Sequence, residues 1–403
     1  EKIVYHNDLY VVRRLWDTEL GESVVMRLHL PRDGVREFTI PLTAVNSREE
    51  FRKQMSMYGV AISKMDEIMQ YTTTWVNELQ ASSVADEAHK QFGWTDDDCG
   101  SFVLGNQEIF ADRVEFNPPS TQTIGMFPAF EPKGTIEGWK ETINFYNREN
   151  FELHQFVVGS SFGSVLMTLS PINCAALHIH SKESGVGKTT AIAAAVSVWG
   201  RPEELIIHER DTFNIKMHRG EIYHNLPLYM DELTNSRASE LSNLAYQLTG
   251  GRQRGRMSSG GNTERYRGDA WKLLSVTTGN TSIIERVSMT KAMPKAEAQR
   301  ILEVKVDRLF SDAEDKEEQD EFSAAVSNNY GHAGKIYIQY IMNNLDGVKK
   351  LIDEIRVKVD TSAGLTSENR FWSAFVTNTM AGLVLAKRAG LIEYDTGKVF
   401  KWA

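Results

Sequence analysis

The segment Ser184-Gly185-Val186-Gly187-Lys188-Thr189-Thr190 constrains this chain more than any other. It follows an apolar stretch at 175–179 that reads as a strand, and it opens an Ala-rich stretch that reads as a helix. A glycine turn in that setting suits a phosphate group. Glycines let backbone N–H groups converge on phosphate oxygens, and the helix N-terminus adds the positive end of its dipole. On this reading Ser184, Gly185, Val186, Gly187 and Thr190 form the cradle, Lys188 reaches the β- and γ-phosphates, and Thr189 offers its hydroxyl to Mg2+. Lys182 stands where the full form of the pattern has a glycine. The cofactors implied are ATP and Mg2+.

Downstream segments extend the reading. Leu226-Pro227-Leu228-Tyr229-Met230-Asp231-Glu232 is an apolar strand candidate ending in two carboxylates, about 40 residues on. That spacing leaves room for a crossover helix and a neighbouring parallel strand. Asp231 is placed to hold Mg2+ and Glu232 to polarise an attacking water. A third strand, 273–278, leads into Gly279-Asn280. Polar residues at the C-terminal tips of core strands sit where open α/β sheets bind ligands, so Asn280 is a candidate for orienting that water. Gln299-Arg300 directly precedes another strand candidate, 301–306. Arg300 is a candidate finger toward a phosphate on a neighbouring subunit, where it would stabilise charge in the transition state. A surface ion pair is its plainer alternative, and Arg286 and Arg308 are weaker candidates.

Net charge is −9, so the chain should not coat nucleic acid indiscriminately. Any contact with DNA needs locally concentrated positive charge, and residues 250–268 supply it with five arginines and one glutamate. Residues 259–262 suggest a hairpin turn. Alternation puts Arg252, Arg254 and Arg256 on one side of an extended strand, with Arg265 and Arg267 on the return. Arginines among glycines suit a sugar–phosphate backbone, and no base-reading pattern accompanies them. Tyr266 is a candidate for stacking on a base, or a core tyrosine. The plainer readings of the loop are a solvated hairpin, or arginines serving a neighbour's ATP site.

The remainder sets the organisation. Strand patterns at 9–12, 24–30 and 37–42, with Asp33-Gly34 as a turn, precede two helices within 47–80 for which Ser47 and Glu50 form a capping pair. A β-rich stretch covers 92–117, and prolines punctuate 118–132. Helices are expected near 137–150 and 161–170, after which helix and strand alternate as in a parallel sheet. The run 312–321 is acidic and reads as a solvated linker or helix face, and 322–392 reads as helical. The expected fold is α/β: a P-loop NTPase core of AAA+ type with a parallel sheet over 136–310, an α/β N-terminal domain over 1–135 and a C-terminal helical lid over 311–403. The first residue is Glu1 rather than Met, so the chain reads as a fragment of a longer protein. Cys99 and Cys174 lie far apart, with no zinc-ligand spacing, and suit a reducing cytoplasm. No apolar run reaches the ~18 residues of a membrane span.

These residues carry a family resemblance. Gln91-Phe92-Gly93-Trp94, Gly187-Lys188-Thr189-Thr190 through Trp199-Gly200, His224-Asn225 before Asp231-Glu232, and Trp271 before Thr278-Gly279-Asn280 are similar to the P-loop helicase domain of phage and mobile-element replication proteins. So are Gly250-Gly251 with the arginines, Gln299-Arg300, Tyr330-Gly331, and Arg370-Phe371 with Gly390-Leu391. That family is often fused to a primase and was long catalogued as a domain of unknown function. The order of elements also resembles AAA+ and superfamily 3 helicases. The resemblance implies a bacterial cytoplasmic replicative helicase that translocates on single-stranded DNA as a ring, expected to be a hexamer, with a primase or primase domain as partner. It implies Asn280 as a sensor, 252–267 as a pore hairpin, Arg300 as the finger in trans, and Arg370 as a second sensor that binds nucleotide from the lid. A translocase or loader without strand separation, and an ATP-dependent assembly switch, remain the alternatives.

Overall fold

Alternation in the first residues builds a sheet. Strands β1 (Asp8–Asp17), β2 (Gly21–Leu30) and β3 (Gly34–Pro41) pair antiparallel in the order β3-β2-β1, and β4 (Asp86–Glu87) adds to β1 in parallel. Every second residue faces one side. Leu9 and Val11, then Val24, Met26 and Leu28, then Phe38 and Ile40 are buried together. They meet Phe51 and Met55 of helix α1 (Arg48–Met57) and Ile68 and Val76 of helix α2 (Met65–Ser82). Ser47 caps α1 by accepting from the Glu50 N–H, as the sequence suggested.

The structure is a computed structural model. It describes all residues but 1–2, 18–20, 121, 184, 235–236, 256, 258–267, 290–294 and 307–312, with the side chains of 295 and 313–316 also left aside. Contacts group the chain into two units, residues 1–90 with 116–127, and residues 91–115 with 128–403. These lines differ from the three-part division at 135 and 310. Residues 91–115 group with the second unit, and so do the C-terminal helices.

The second unit is built on a five-stranded sheet. Strands β5 (Gly93–Trp94), β6 (Phe102–Leu104), β7 (Gln107–Ile109) and β8 (Val114–Phe116) make a smaller sheet. Helices α3 (Ile136–Asn144) and α4 (Glu152–Ser164) lead to the large one. There, β9 (Cys174–His180), β10 (Ile207–His208), β11 (Leu228–Asp231), β12 (Leu273–Gly279) and β13 (Ile301–Lys305) run parallel in the order β10-β11-β12-β9-β13. Crossovers are α5 (Lys188–Val196), α6 (Phe213–Tyr223), α7 (Ala238–Gly250) and α8 (Ile283–Ser288). The loops at the strands' C-terminal tips form one edge of the sheet, and the segments entering the strands form the other.

The chain ends in α9 (Ala313–Asn328), α10 (Ala333–Asn343), α11 (Leu345–Ala363), α12 (Arg370–Arg388) and α13 (Thr396–Trp402). The helix expected at 161–170 spans Glu152–Ser164 instead, followed by a 3-10 turn. Residues 154–164 are all buried, so this helix has no polar face for periodicity to detect. One side is closed by α12: a Cβ on Gly163 would lie 2.5 Å from the Asn378 carbonyl oxygen. Among the described residues, no helix is long and apolar enough to cross a membrane.

Candidate functional site

The C-terminal tips of β9, β11 and β12 bring five of the singled-out residues together. Between β9 and α5 the backbone turns at Gly185 (φ 74°) and Gly187 (φ 78°), both left-handed. A side chain at Gly187 would also press on His154, whose Nε2 lies 3.0 Å from where a Cβ would stand. Val186 is buried and anchors the turn. Lys188 then starts α5, with Thr189 and Thr190 in its first turn.

Lys188 Nζ donates to the carbonyls of Ser181 (3.2 Å) and Glu183 (3.3 Å) and to Asn280 Oδ1 (3.3 Å). Burial lowers the pKa of its ammonium, while Glu232 and Asp231 pull it up. The Thr189 hydroxyl donates to Asp231, 3.0 Å from Oδ2 and 3.2 Å from Oδ1. Asp231 is 8% exposed and takes a second hydroxyl, from Thr278, at 2.5 Å. Glu232, exposed at the end of β11, accepts from Asn280 Nδ2 at 3.1 Å and from the Thr234 hydroxyl. Its own N–H donates to Thr278 Oγ1 at 3.0 Å, and its φ is 61°. A left-handed glutamate costs energy that its surroundings must supply, and such residues gather at functional sites.

Two histidines back this edge. His178 on β9 bonds Thr277 Oγ1 (2.8 Å) and the Thr281 carbonyl (3.0 Å), and burial depresses its pKa to about 4. His154 on α4, behind the glycine turn, is likewise depressed to about 4 by burial. Both are neutral at pH 7, so they add no charge beside Lys188.

The residues present fit a nucleoside triphosphate with Mg2+. The glycine turn exposes backbone N–H groups at a helix start, and Thr189 and Asp231 set hard oxygen donors side by side.

Arg300 and Arg370 lie elsewhere. Arg300 enters β13 from the opposite edge, where Nη1 donates to Thr249 Oγ1 (2.8 Å) at the end of α7. Its guanidinium lies over the rings of Tyr246 (4.6 Å) and Phe371 (5.2 Å). Arg370 lines a cavity with Leu169 and Ile172, which precede β9. The seven residues of β9 separate that end from the glycine turn by about 20 Å. Arg370 therefore does not reach the phosphate cradle of its own chain, which corrects its expected place as a nucleotide-binding sensor. The sequence could not show that α12 begins beside the entering ends of the strands.

The basic segment also leaves from this opposite edge. Arg252 and Arg254 are exposed and flank the half-buried Gln253, but 252–255 form no regular strand. Arg252 Nε donates to the Gly268 carbonyl (3.1 Å), and Arg254 donates to Asn243 Oδ1 (3.2 Å). The buried Glu221 of α6 pins both ends of the segment, accepting from Gln253 Nε2 (2.7 Å) and the Asp269 N–H (2.8 Å). Ser184, Arg256, Arg265, Tyr266, Arg267, Arg308 and the turn at 259–262 lie outside the described residues. Arg286 donates to the Thr234 carbonyl beside Glu232.

Comparison with known proteins adds the family. A family model described as a domain of unknown function, DUF927, matches residues 24–267, well over half of the chain. The chain belongs to the DUF927 family. No curated protein matches it. Among solved structures, the SCCmec type IV Cch active helicase superposes on this DUF927 chain with a TM-score of 0.69 at 17% identity. The match covers 100% of this chain and 74% of that one, and it shows a shared fold. A Cytophaga hutchinsonii ATCC 33406 protein assigned as an ATPase gives a TM-score of 0.35 at 14% identity, covering 66% of this chain and 84% of that one. The NrS-1 C-terminal region, in its A-form apo structure, gives 0.32 at 10% identity, covering 98% of this chain and 90% of that one.

Sequence reasoning passed over several residues of this DUF927 site. Thr278 and Thr234 hold the two carboxylates, yet a threonine at a strand end reads as ordinary β-propensity. His154 lies 33 residues before Gly187 and meets it only through the packing of α4. Glu221 carries no motif at all.

Proposed function

We propose that this chain is an ATP-driven helicase-like motor on DNA, with an AAA+ type P-loop core. One observation carries the reading: Lys188, Asn280 and Glu232 are joined through Thr278 to Asp231 and Thr189 in a single hydrogen-bonded network at the strand tips. Lys188 and the backbone N–H groups of 185–190 bind the triphosphate of ATP. Thr189 and Asp231 hold Mg2+, which when bound neutralises charge on the phosphate oxygens. Glu232 takes the proton of the attacking water, and Asn280 keeps Glu232 and Lys188 in register. Thr278 fixes Asp231 and the backbone of Glu232 together, so the metal-holding and base-holding groups move as one.

The opposite edge supports the rest of the reading. Arg300 cannot serve its own cradle, so its use as a finger requires a second copy whose ATP it meets. A shared site of this kind suits a ring, for which we propose a hexamer. Arg252 and Arg254 are free of the sheet and suit the backbone of single-stranded DNA. The shared fold with an active helicase supports strand separation as the outcome. The place of action we propose is the cytoplasm of a bacterium that hosts a phage or mobile element, with a primase as partner.

The test pairs steady-state ATPase, with and without single-stranded DNA, with forked-duplex unwinding. DNA-stimulated turnover with unwinding is expected. Turnover and translocation without unwinding would reassign the chain as a translocase or loader, and no turnover would leave an assembly switch.

A further inference from the structure

Asn280 reaches Lys188 with Oδ1 (3.3 Å) and Glu232 with Nδ2 (3.1 Å). Both contacts require the turn that leaves the end of β12 to hold one shape. The ring of His178 closes that turn. Its Nε2 bonds the Thr281 carbonyl (3.0 Å) and its Nδ1 the Thr277 hydroxyl (2.8 Å), so one side chain joins residue 277 to residue 281. A carbonyl oxygen can only accept, so Nε2 carries the proton. The neutral ring then leaves Nδ1 to accept, and the Thr277 hydroxyl donates to it.

Between these two anchors lie the residues that meet the catalytic groups. Thr278 holds Asp231 and the Glu232 N–H, and Asn280 follows two positions on. The ring and the turn are closely fitted, since a Cβ on Gly279 would stand 3.1 Å from the ring's Cε1. The Thr234 hydroxyl takes the Asn280 N–H (2.9 Å), and Glu303 takes the Ile283 N–H (2.7 Å). Each of those ties holds one point, whereas His178 ties both ends. His178 is 1% exposed on β9, so it acts through the turn rather than on a bound nucleotide. We propose that His178 is a positioning residue for ATP hydrolysis, whose ring clips residues 277 and 281 together and so sets Asn280 against Lys188 and Glu232. The proposal rests on the reading of the strand tips as the hydrolytic site.

The experiment measures steady-state ATP turnover in the full chain. His178→Asn keeps an acceptor near the place of Nδ1 but falls short of Thr281, whereas His178→Gln carries an N–H to near the place of Nε2. His178→Asn is expected to lower kcat by about 10–100-fold with the KM for ATP within about threefold, and His178→Gln to stay within about threefold of the unaltered chain. In an Asn280→Ala background, His178→Asn is expected to cost less than about threefold more, because the group it positions is gone. Circular dichroism checks that each variant folds. Should His178→Asn not fold, Thr277→Val, which keeps the shape and removes one anchor, takes its place with the same expected outcome. Turnover absent from the unaltered chain would overturn the strand-tip reading and this proposal with it. Turnover that Asn280→Ala abolishes but His178→Asn spares, a rise in KM alone, a His178→Gln variant as slow as His178→Asn, or equal losses with and without Asn280 would overturn the positioning role and leave the strand-tip reading standing.

Discussion

The Thr189 hydroxyl sits 3.0 Å from Asp231 Oδ2, joining residues from the first turn of α5 and the tip of β11. Thr278 reaches the same carboxylate from β12, so three elements meet on one group. If Asp231 holds Mg2+, Thr278 orients it from behind. Thr278→Val is then expected to raise the Mg2+ concentration needed for half-maximal ATPase by about 10–100-fold. A Mg2+ titration of turnover checks this, and an unchanged midpoint would detach Asp231 from the metal.

Glu232 is held by Asn280 and Thr234 while its backbone is left-handed. Replacing it with Gln keeps the size and removes the basicity. Glu232→Gln is expected to leave ATP binding within a few-fold and to lower turnover by about 10²–10⁴-fold. Turnover near the wild-type rate would exclude it as the base.

The parallel sheet was legible because each strand from β9 to β13 with a motif at its tip is a short apolar run with a polar end. Lys188, Thr189, Asp231, Glu232 and Asn280 stand together because such tips share one edge. What lay outside the sequence is what depends on packing between distant segments. The approach of α4 and α12 through glycines, the pinning of 253 and 269 by Glu221, and the position of Arg370 each join residues with no local pattern. Helix α4 was misplaced for the same reason: burial on every side erases the 3.6-residue period.

Burial holds His154, His178 and His224 at pKa values of about 4, against an ordinary 6.5. Below the ordinary value the unfolded chain takes up these protons and the folded chain does not. Stability is therefore full above about pH 6.5 and falls as pH drops toward 4, by at most about 1.4 kcal/mol per pH unit for each histidine. Urea midpoints at about pH 7.5 and about pH 5 should show the loss, and His178→Gln should flatten the slope. A midpoint that rises on acidification would contradict the burial of these rings.

A Cβ at Gly382 would stand 2.5 Å from the Gly163 nitrogen, and one at Gly163 as close to the Asn378 carbonyl oxygen. Both obstacles are backbone, which cannot swing aside as a side chain does. Gly163→Ala is expected to destabilise the chain by about 1–3 kcal/mol, read from urea denaturation. A neutral effect would mean that α4 and α12 can part at little cost.

Arg252 and Arg254 stand exposed on a segment whose two ends are tied to the core through Glu221 and the Gly268 carbonyl. If these two arginines hold a single strand through its phosphates, each neutralised phosphate releases a counterion. For single strands the logarithm of affinity then falls with the logarithm of salt by about 0.7 per phosphate contact. Replacing Arg252 and Arg254 together with Gln should lower affinity and reduce that slope by about 1.4 if each arginine holds one phosphate. Glu221→Gln keeps the hydrogen bond from the Asp269 N–H but weakens the anchor, and is expected to cost affinity while preserving the slope. Fluorescence anisotropy with a short labelled oligonucleotide across a salt series separates the two variants. An unaltered slope in the double arginine variant would move the DNA contact to another surface.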